Sequence, residues 1–146
     1  MSETVIERKP QITQLKDFLK EIDFDFVTPL SHKVNIDEYA DKIYSLAEII
    51  AEWDGEELAG ISVFYCNDEN SLTAYESLLG VKKKFRGKGL GETLMKKTLD
   101  LVKNKGFKKI YLYTEHPHAF LLYKKLGFEI TADFLNGRKQ LEKELD

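Results

Sequence analysis

The segment from Leu78 to Gly91, which reads LLGVKKKFRGKGLG, constrains the fold of this chain more than any other. An apolar run ends at Val81, basic residues follow it, and three glycines then alternate with other residues before an amphipathic pattern begins. This order predicts a strand, a glycine-rich turn and a helix. Because backbone N–H groups and the positive end of the helix dipole converge at such a turn, the segment predicts a binding site for phosphate.

The size and charge of the chain narrow the function classes. Its 146 residues, 42% hydrophobic and 32% charged, predict one globular domain over residues 1–146. A net charge of −3 argues against general affinity for nucleic acid, and no apolar run reaches membrane-spanning length. Cys66 is the single cysteine, so neither an internal disulfide nor a cysteine-based metal cluster is expected. The N-terminal segment has no apolar signal core, and we expect a cytoplasmic protein.

Two helices are predicted in the first third of the chain. Apolar residues recur at helical spacing over about 11–22, and either Asn35 or Asp37 caps the start of a second helix. Pro29 argues against regular structure between them, and a short strand is expected at Val5 to Arg8. The two helices should cover one side of the domain.

Strands and tight turns dominate the rest of the chain. Asp54-Gly55 and Asn136-Gly137 are tight-turn signals, and Gly106 stands where a helix C-terminal cap belongs. The central strand–helix–strand crossover should be parallel and right-handed, which predicts a mixed α/β domain. The predicted strands are 47–53, 58–66, 72–81, 109–114, 128–135 and 138–145, and the predicted helices are about 89–104 and 119–126.

Two common nucleotide-binding motifs do not fit the glycine-rich turn. The P-loop pattern G-x-x-x-x-G-K-[ST] is absent. The dinucleotide pattern G-x-G-x-x-G fails as well, because its third glycine falls on Leu94 when the count starts at Gly89 and on Glu92 when it starts at Gly87. The phosphate ligand is therefore expected to be of another kind.

The pattern that fits is R-x-x-G-x-G, from Arg86 through Gly89 to Gly91. It resembles the coenzyme A pyrophosphate loop of the GCN5-related N-acetyltransferase (GNAT) superfamily. A second match, A-x-x-L-Y-x-x-x-G-F, follows after one further strand and includes Tyr123. The resemblance covers about residues 47–135. It implies a GNAT-like fold, with a central mixed sheet of six to seven strands and helices on both faces.

The resemblance also implies acetyl-CoA as the co-substrate. Main-chain N–H groups of the loop would hold the pyrophosphate, and one near Leu79 would bind the acetyl carbonyl. The alternative is a tight turn that binds nothing. Nearby lysines would steer the phosphates, although each taken singly is more often a solvated surface residue: Lys82, Lys83, Lys84, Lys88 and Lys96. The cofactor-binding residues so implied are Leu79, Gly80, Val81, Arg86, Gly87, Lys88, Gly89, Leu90, Gly91 and Glu92.

Tyr123 stands where the superfamily places the general acid that protonates the departing coenzyme A thiolate. A phenol with a pKa of about 10 is protonated at neutral pH and can donate as the thiolate forms. The alternative is a tyrosine that packs on the apolar face of its helix.

The general base is predicted with less support from the pattern. Many superfamily members use a glutamate on the strand before the loop, and Glu76 is the residue that matches here. Strand alternation puts Glu76 and Leu78 on one face and Tyr75, Ser77 and Leu79 on the other, unless a bulge intervenes. Glu76 as an ordinary strand residue, with water relayed by Tyr75 or Ser77 as the base, is the alternative.

Taken together, these features predict transfer of an acetyl group from acetyl-CoA to a primary amine by direct attack in a ternary complex. A catalytically silent coenzyme A sensor of the same fold is the alternative, and a protein that binds another nucleotide is a third hypothesis. His116 replaces an asparagine that is frequent in the superfamily, and His116 with His118 lacks further ligands, so no metal is expected. The acceptor is not readable, and the sequence neither supports nor opposes a homodimer.

Overall fold

A computed structural model describes residues 8–146 of the chain. The strand predicted at Val5 to Arg8 lies outside the described residues, except for Arg8. The helices are α1 (Ile12–Ile22), α2 (Ile36–Leu46), α3 (Leu90–Asn104) and α4 (Pro117–Lys125). The strands are β1 (Glu48–Asp54), β2 (Glu57–Tyr65), β3 (Thr73–Val81), β4 (Lys109–Thr114), β5 (Glu129–Asp133) and β6 (Lys139–Glu144).

The six strands form one mixed sheet in the order β1-β2-β3-β4-β6-β5. Among the strands of residues 8–146, only β3 and β4 are parallel neighbours, and α3 is the helix that connects them. The other neighbours are antiparallel, including β1 and β2, which turn at Gly55 and Glu56 as Asp54-Gly55 predicts. The predicted fold class, a mixed sheet with helices on both faces, is confirmed.

Helices α1 and α2 cover one face of the sheet. Apolar residues of α1 at helical spacing, among them Phe18 and Ile22, pack with Ile43 of α2 against Ile61 of β2. Asn35 is the cap of α2, because its Oδ1 accepts a 3.0 Å hydrogen bond from the Glu38 N–H. This face was predicted to be covered by these two helices.

Helices α3 and α4 cover the opposite face. Leu94 and Met95 of α3 and Tyr123 of α4 pack with Phe64 of β2 and Phe128 in a second buried cluster. The described residues contain no helix with the length and apolar character that crossing a bilayer requires.

Helix α4 begins two residues before the predicted position. Pro117 takes the first position of the helix, and His116 caps it by accepting a hydrogen bond from the His118 N–H at 3.1 Å.

A bulge in β3 changes the direction of its side chains. Residue Phe64 of β2 pairs with Glu76, whereas Val63 pairs with Leu78, so Ser77 has no partner of its own. Glu76 consequently faces α3, and Leu78 faces α1 and α2. Simple alternation places Glu76 with Leu78, and Leu79 with Ser77. Both placements are wrong because of the bulge, since Leu79 packs with the α3 cluster and Ser77 faces α2.

Candidate functional site

A wedge opens between the two parallel strands at the centre of the sheet. β3 and β4 pair only over Thr73–Tyr75 and Lys109–Tyr111. Beyond these residues the strands separate toward their C-terminal ends, where β3 leads into the glycine-rich loop and β4 leads into α4. Ligands in open α/β sheets bind at carboxyl ends of parallel strands where neighbouring chains diverge.

The glycine-rich loop presents a row of unpaired backbone donors at the open end of the wedge. Within residues 8–146, the N–H groups of residues 87–92 have no hydrogen-bond acceptor. Gly87 and Gly89 have φ angles of 80° and 78°, a region that glycine enters without strain. Gly89 is the N-cap of α3 and offers no side chain to its first turn, so the loop and the positive end of the dipole are both directed to an anion.

Arg86 serves the loop through its side chain as well as its backbone. Its Nε donates to the Val81 carbonyl at 3.0 Å, and its guanidinium contacts the Asp25 carboxylate at 2.9 Å. The side chain therefore fixes the turn after β3 and joins it to the connection between α1 and α2.

The lysines predicted to steer phosphates divide into two groups. Lys82 contacts Glu21 and Glu57, Lys84 contacts Glu57, and Lys96 contacts Glu92. In the described part of the chain, Lys83 and Lys88 have no carboxylate within ion-pair distance, and both are exposed. Lys83 and Lys88 are thus the cations available to a phosphorylated ligand.

Glu92, in the first turn of α3, is held by lysines of two helices. Its carboxylate lies 2.8 Å from Lys96 Nζ and 2.7 Å from Lys125 Nζ. The hydrogen bonds from Lys125 and Lys96 lower the pKa of Glu92 to about 2. The side chain joins α3 to α4, while the backbone N–H of Glu92 belongs to the unpaired row.

The connection between α1 and α2 (residues 23–35) forms a strap across the wedge. On the β3 side, Asp25 binds Arg86. On the β4 side, the Thr28 hydroxyl donates to Glu115 at 3.2 Å, and Lys33 Nζ lies 3.2 Å from the same carboxylate. Sequence reasoning missed the contact of Asp25 with Arg86 and the role of Glu115, because no local pattern indicates which distant side chains will meet.

Tyr123 lies on α4 with its side chain turned toward the sheet. It is 5% exposed, and its ring makes an edge contact with Phe128 at a centroid distance of 5.5 Å. Among the described residues its hydroxyl makes no hydrogen bond, and its oxygen is not sealed from solvent. Burial, with a smaller contribution from the nearby Glu76, raises the pKa of the phenol above its usual value. The hydroxyl is therefore a neutral proton donor.

Glu76 is enclosed between the sheet and α3. It is 3% exposed, and its carboxyl oxygens lie 2.9 and 3.1 Å from Ser62 Oγ. Ser62 Oγ lies 2.7 Å from Thr98 Oγ1, which donates to the Leu94 carbonyl at 2.9 Å. Because the Thr98 hydroxyl proton is used in the bond to Leu94, the single Ser62 hydroxyl proton is shared by two contacts, one with Thr98 and one with Glu76. A proton on the Glu76 carboxyl would supply the hydrogen that the second contact lacks.

Burial acts on Glu76 in the same direction as this proton count. Loss of water raises the pKa of Glu76 well above its usual value, and the Ser62 contact offsets only part of the rise. On the opposite face, the bulge residue Ser77 lies 2.8 Å from the Tyr39 hydroxyl of α2. The two alternatives for the base therefore lie on different sides of the sheet.

The three predicted cofactor-binding residues at the end of β3 have distinct surroundings. Leu79 and Val81 pack with the α3 cluster. Gly80 faces α1, and a Cβ there would lie 2.6 Å from the Ile22 side chain. The close approach of α1 therefore explains this glycine without a ligand.

Comparison with known proteins identifies the family. The model of the acetyltransferase (GNAT) family matches residues 14–128, most of the chain. The chain belongs to the GNAT acetyltransferase family. The match begins inside α1, so it includes the first two helices, which the sequence motifs left outside the resemblance.

Single relatives of this GNAT chain match a smaller part of it than the family model does. The chain is 32% identical to mycothiol acetyltransferase of Corynebacterium glutamicum over 90 aligned residues. The alignment covers 60% of this chain and 30% of that protein. N-alpha-acetyltransferase 30 of Schizosaccharomyces pombe is 37% identical over 73 residues, 46% of this chain and 49% of its own. The chain thus spans less than half the length of these curated relatives. A Bacillus subtilis acetyltransferase solved in complex with CoA shares the fold, with a TM-score of 0.73, 24% identity and 97% of each chain covered.

Proposed function

We propose that this protein transfers an acetyl group from acetyl-CoA to a primary amine. The observation that carries the proposal is the wedge between β3 and β4, whose open end presents the unpaired N–H groups of residues 87–92. These donors fit the two phosphates of a pyrophosphate, and Lys83 and Lys88 add positive charge beside them. When bound, acetyl-CoA supplies the activated acetyl group as a thioester.

The residues around the wedge would divide the chemistry between the two faces of the sheet. The N–H groups of residues 87–92 hold the pyrophosphate, and a main-chain N–H near Leu79 stabilises the oxyanion that forms when the amine attacks. The Tyr123 hydroxyl protonates the thiolate that leaves, and its lack of a protein partner keeps that proton free for the transfer.

For the base, the surroundings support water on the face of Ser77 over the Glu76 carboxyl. Glu76 is enclosed between the sheet and α3, and burial raises its pKa well above the usual value, so the amine would have to reach a carboxyl that these elements cover. Ser77 and Tyr39 form a hydroxyl pair on the face that α3 does not cover, and Tyr75 lies two residues before the bulge. A water bound there would take the proton of the attacking amine and pass it, through the hydroxyl of Ser77 or Tyr75, to the bulk solvent.

A pair of glycine variants of α3 tests the ligand site without ambiguity about folding. Gly89 and Gly106 lie at the two ends of this helix, have φ angles of 78° and 86°, and have nothing within 4 Å of an added Cβ. Gly89→Ala and Gly106→Ala should therefore cost a similar stability, about 1 kcal/mol each. Only Gly89→Ala should weaken acetyl-CoA binding in a calorimetric titration.

Activity is measured by release of coenzyme A thiol with a panel of primary amines. Turnover that Gly106→Ala retains and Gly89→Ala loses supports the proposal. Equal affinity of both variants for acetyl-CoA, or binding without turnover on any amine, would contradict it. The second result would identify a coenzyme A sensor instead.

A further inference from the structure

The face of the sheet opposite α3 is only partly covered. Helices α1 and α2 pack on β1, β2 and the second half of β3, and no residue of β4 or β6 belongs to their apolar cluster in the described range. The α3 face, in contrast, is filled with buried side chains around Glu76 and Tyr123. An acceptor amine that approaches the wedge must therefore come from the partly covered face.

Three tyrosines stand in a row, one on each of three neighbouring strands, from the edge of the α1–α2 cluster, against which Tyr65 packs, onto the uncovered part. Tyr65, Tyr75 and Tyr111 are register partners in β2, β3 and β4, and we call them the tyrosine ladder. The ring centroids of Tyr65 and Tyr75 lie 6.3 Å apart, and those of Tyr75 and Tyr111 lie 4.9 Å apart. The planes of the Tyr65 and Tyr75 rings differ by 15° and those of Tyr75 and Tyr111 by 31°, so the three rings form one continuous aromatic surface.

A cavity of about 390 Å³ adjoins the ladder. One charged side chain lines it, Asp68, whose two carboxylate oxygens accept hydrogen bonds from the Ser71 N–H at 3.2 Å and the Ser71 hydroxyl at 2.7 Å. These bonds lower the pKa of Asp68, so the carboxylate is ionised at neutral pH. Burial raises the pKa of each ladder phenol, so the remaining polar lining is neutral. The lining residues are Tyr65, Asn67, Asp68, Ser71, Thr73, Tyr75 and Tyr111.

The charged side chains near the tyrosine ladder differ between its two ends. Arg138 stacks on Tyr113, two residues beyond Tyr111 toward the C-terminal end of β4, at 4.1 Å from the ring centroid, and its charge acts on the Tyr75 phenol. Lys109, opposite Thr73 in β4, is paired with Glu142 at 3.3 Å. A cation is therefore attracted to the Asp68 end, where no lysine or arginine among residues 8–146 lines the cavity.

The cavity lies within reach of the wedge along β3. Tyr75 and Thr73 are two and four residues from Ser77, which corresponds to roughly 7 and 13 Å at about 3.3 Å per residue. From these features we propose that the cavity binds the remote end of the acceptor, and that the acceptor is an elongated amine with a second cationic group. This inference rests on the proposed acetyl transfer, because the reacting amine is placed at the wedge.

The test compares diamines with monoamines of matched length. The probes are the α,ω-diaminoalkanes from 1,3-diaminopropane to 1,10-diaminodecane and the corresponding n-alkylamines. We expect kcat/KM to favour the longer diamines over their monoamine partners by roughly tenfold, the effect of one hydrogen bond to a charged group. Asp68→Asn should remove this preference, while Glu69→Gln, on the same loop and outside the cavity lining, should retain it.

A calorimetric titration of 1,8-diaminooctane into the coenzyme A complex measures the site independently of turnover. The wild type and Glu69→Gln should bind it roughly tenfold more tightly than Asp68→Asn. Equal affinity of all three proteins, or equal kcat/KM for diamines and monoamines, overturns the inference and leaves the proposed acetyl transfer intact. If no amine is acetylated, the proposed function fails, and the titration alone decides whether Asp68 binds the diamine.

Discussion

At the scale of single residues, Glu76 couples stability to pH. Its pKa is raised above the unfolded value of 4.5, so its contribution to stability is complete below that pH and is lost as the pH rises toward the folded value. Glu76→Gln keeps the shape of the neutral acid without this loss. The free energy of unfolding of the variant should therefore rise relative to that of the wild type by about 1.4 kcal/mol per pH unit between the unfolded and the folded pKa of Glu76.

Urea denaturation at several pH values from about 5 to about 8 measures this difference. Glu69→Gln, at an exposed loop position, is the control and should show no such trend. The pH profile of kcat/KM provides a second readout. Loss of its ascending limb in Glu76→Gln, with the fold intact, would restore Glu76 as the general base.

Tyr123 carries the second prediction at this scale. Its hydroxyl has no protein partner in residues 8–146, so Tyr123→Phe should leave the thermal midpoint unchanged or slightly higher. If the hydroxyl protonates the leaving thiolate, kcat should fall by about 100-fold or more. Tyr44→Phe, on α2 and remote from the wedge, is the control in both assays. A kcat equal to the control would assign Tyr123 to packing alone.

At the scale of elements, the strap of residues 23–35 links the acceptor side to both strands of the wedge. Glu115→Ala removes the partner of Thr28 and Lys33 and frees the β4 side of the strap. Because exposed ion pairs contribute little, the stability cost should stay at or below about 1 kcal/mol. The KM for the amine should rise more than the KM for acetyl-CoA, which steady-state kinetics with each substrate varied in turn will show.

The control for the strap is Asp37→Ala, which breaks the ion pair between Lys20 and Asp37 on the outer surface of α1 and α2. It should change neither KM. Equal changes of both KM values in Glu115→Ala would mean that the strap acts on the whole wedge and not on the acceptor side.

Elements were largely predictable from the sequence because their signals are local. The cap at Asn35, the turn at Gly55 and the left-handed Gly106 follow from a few neighbouring residues. The bulge at Ser77 was not predictable, because it depends on how β3 pairs with β2. The lysine partners were missed for the same reason, since Glu21 and Glu57 come from distant segments.

The residues of the candidate site also differ in whether the sequence alone could predict them. The donor side, Arg86 to Gly91, is one continuous segment whose spacing identifies it. The acceptor side is assembled from the strap, the bulge and the tyrosine ladder, which lie on separate segments and share no motif. Sequence reasoning therefore reached the segment proposed to bind the phosphates and the tyrosine proposed to donate the proton, and three-dimensional contacts were needed to find the other contacts around the wedge.

At the scale of the whole molecule, binding at the wedge should stabilise the entire domain. A ligand at about 100 times its dissociation constant adds about 2.7 kcal/mol to the free energy of unfolding. For a chain of this size, that corresponds to a rise in Tm of roughly 5–10 °C. Acetyl-CoA should produce this rise in a thermal unfolding experiment. ATP and NAD, tested at the same concentration, should produce a smaller one, because neither carries the thioester and pantetheine arm that would lie in the wedge.

The salt dependence of this shift separates the loop from general attraction of anions. The protein carries a net charge of −3, so a phosphorylated ligand is bound against the overall charge, with Lys83 and Lys88 as the exposed cations beside the loop. Raising the salt concentration screens these lysines but not the unpaired N–H groups of residues 87–92, which donate directly to the ligand. The acetyl-CoA shift should therefore shrink with salt yet persist, and a larger shift with ATP or NAD would identify a general nucleotide site instead.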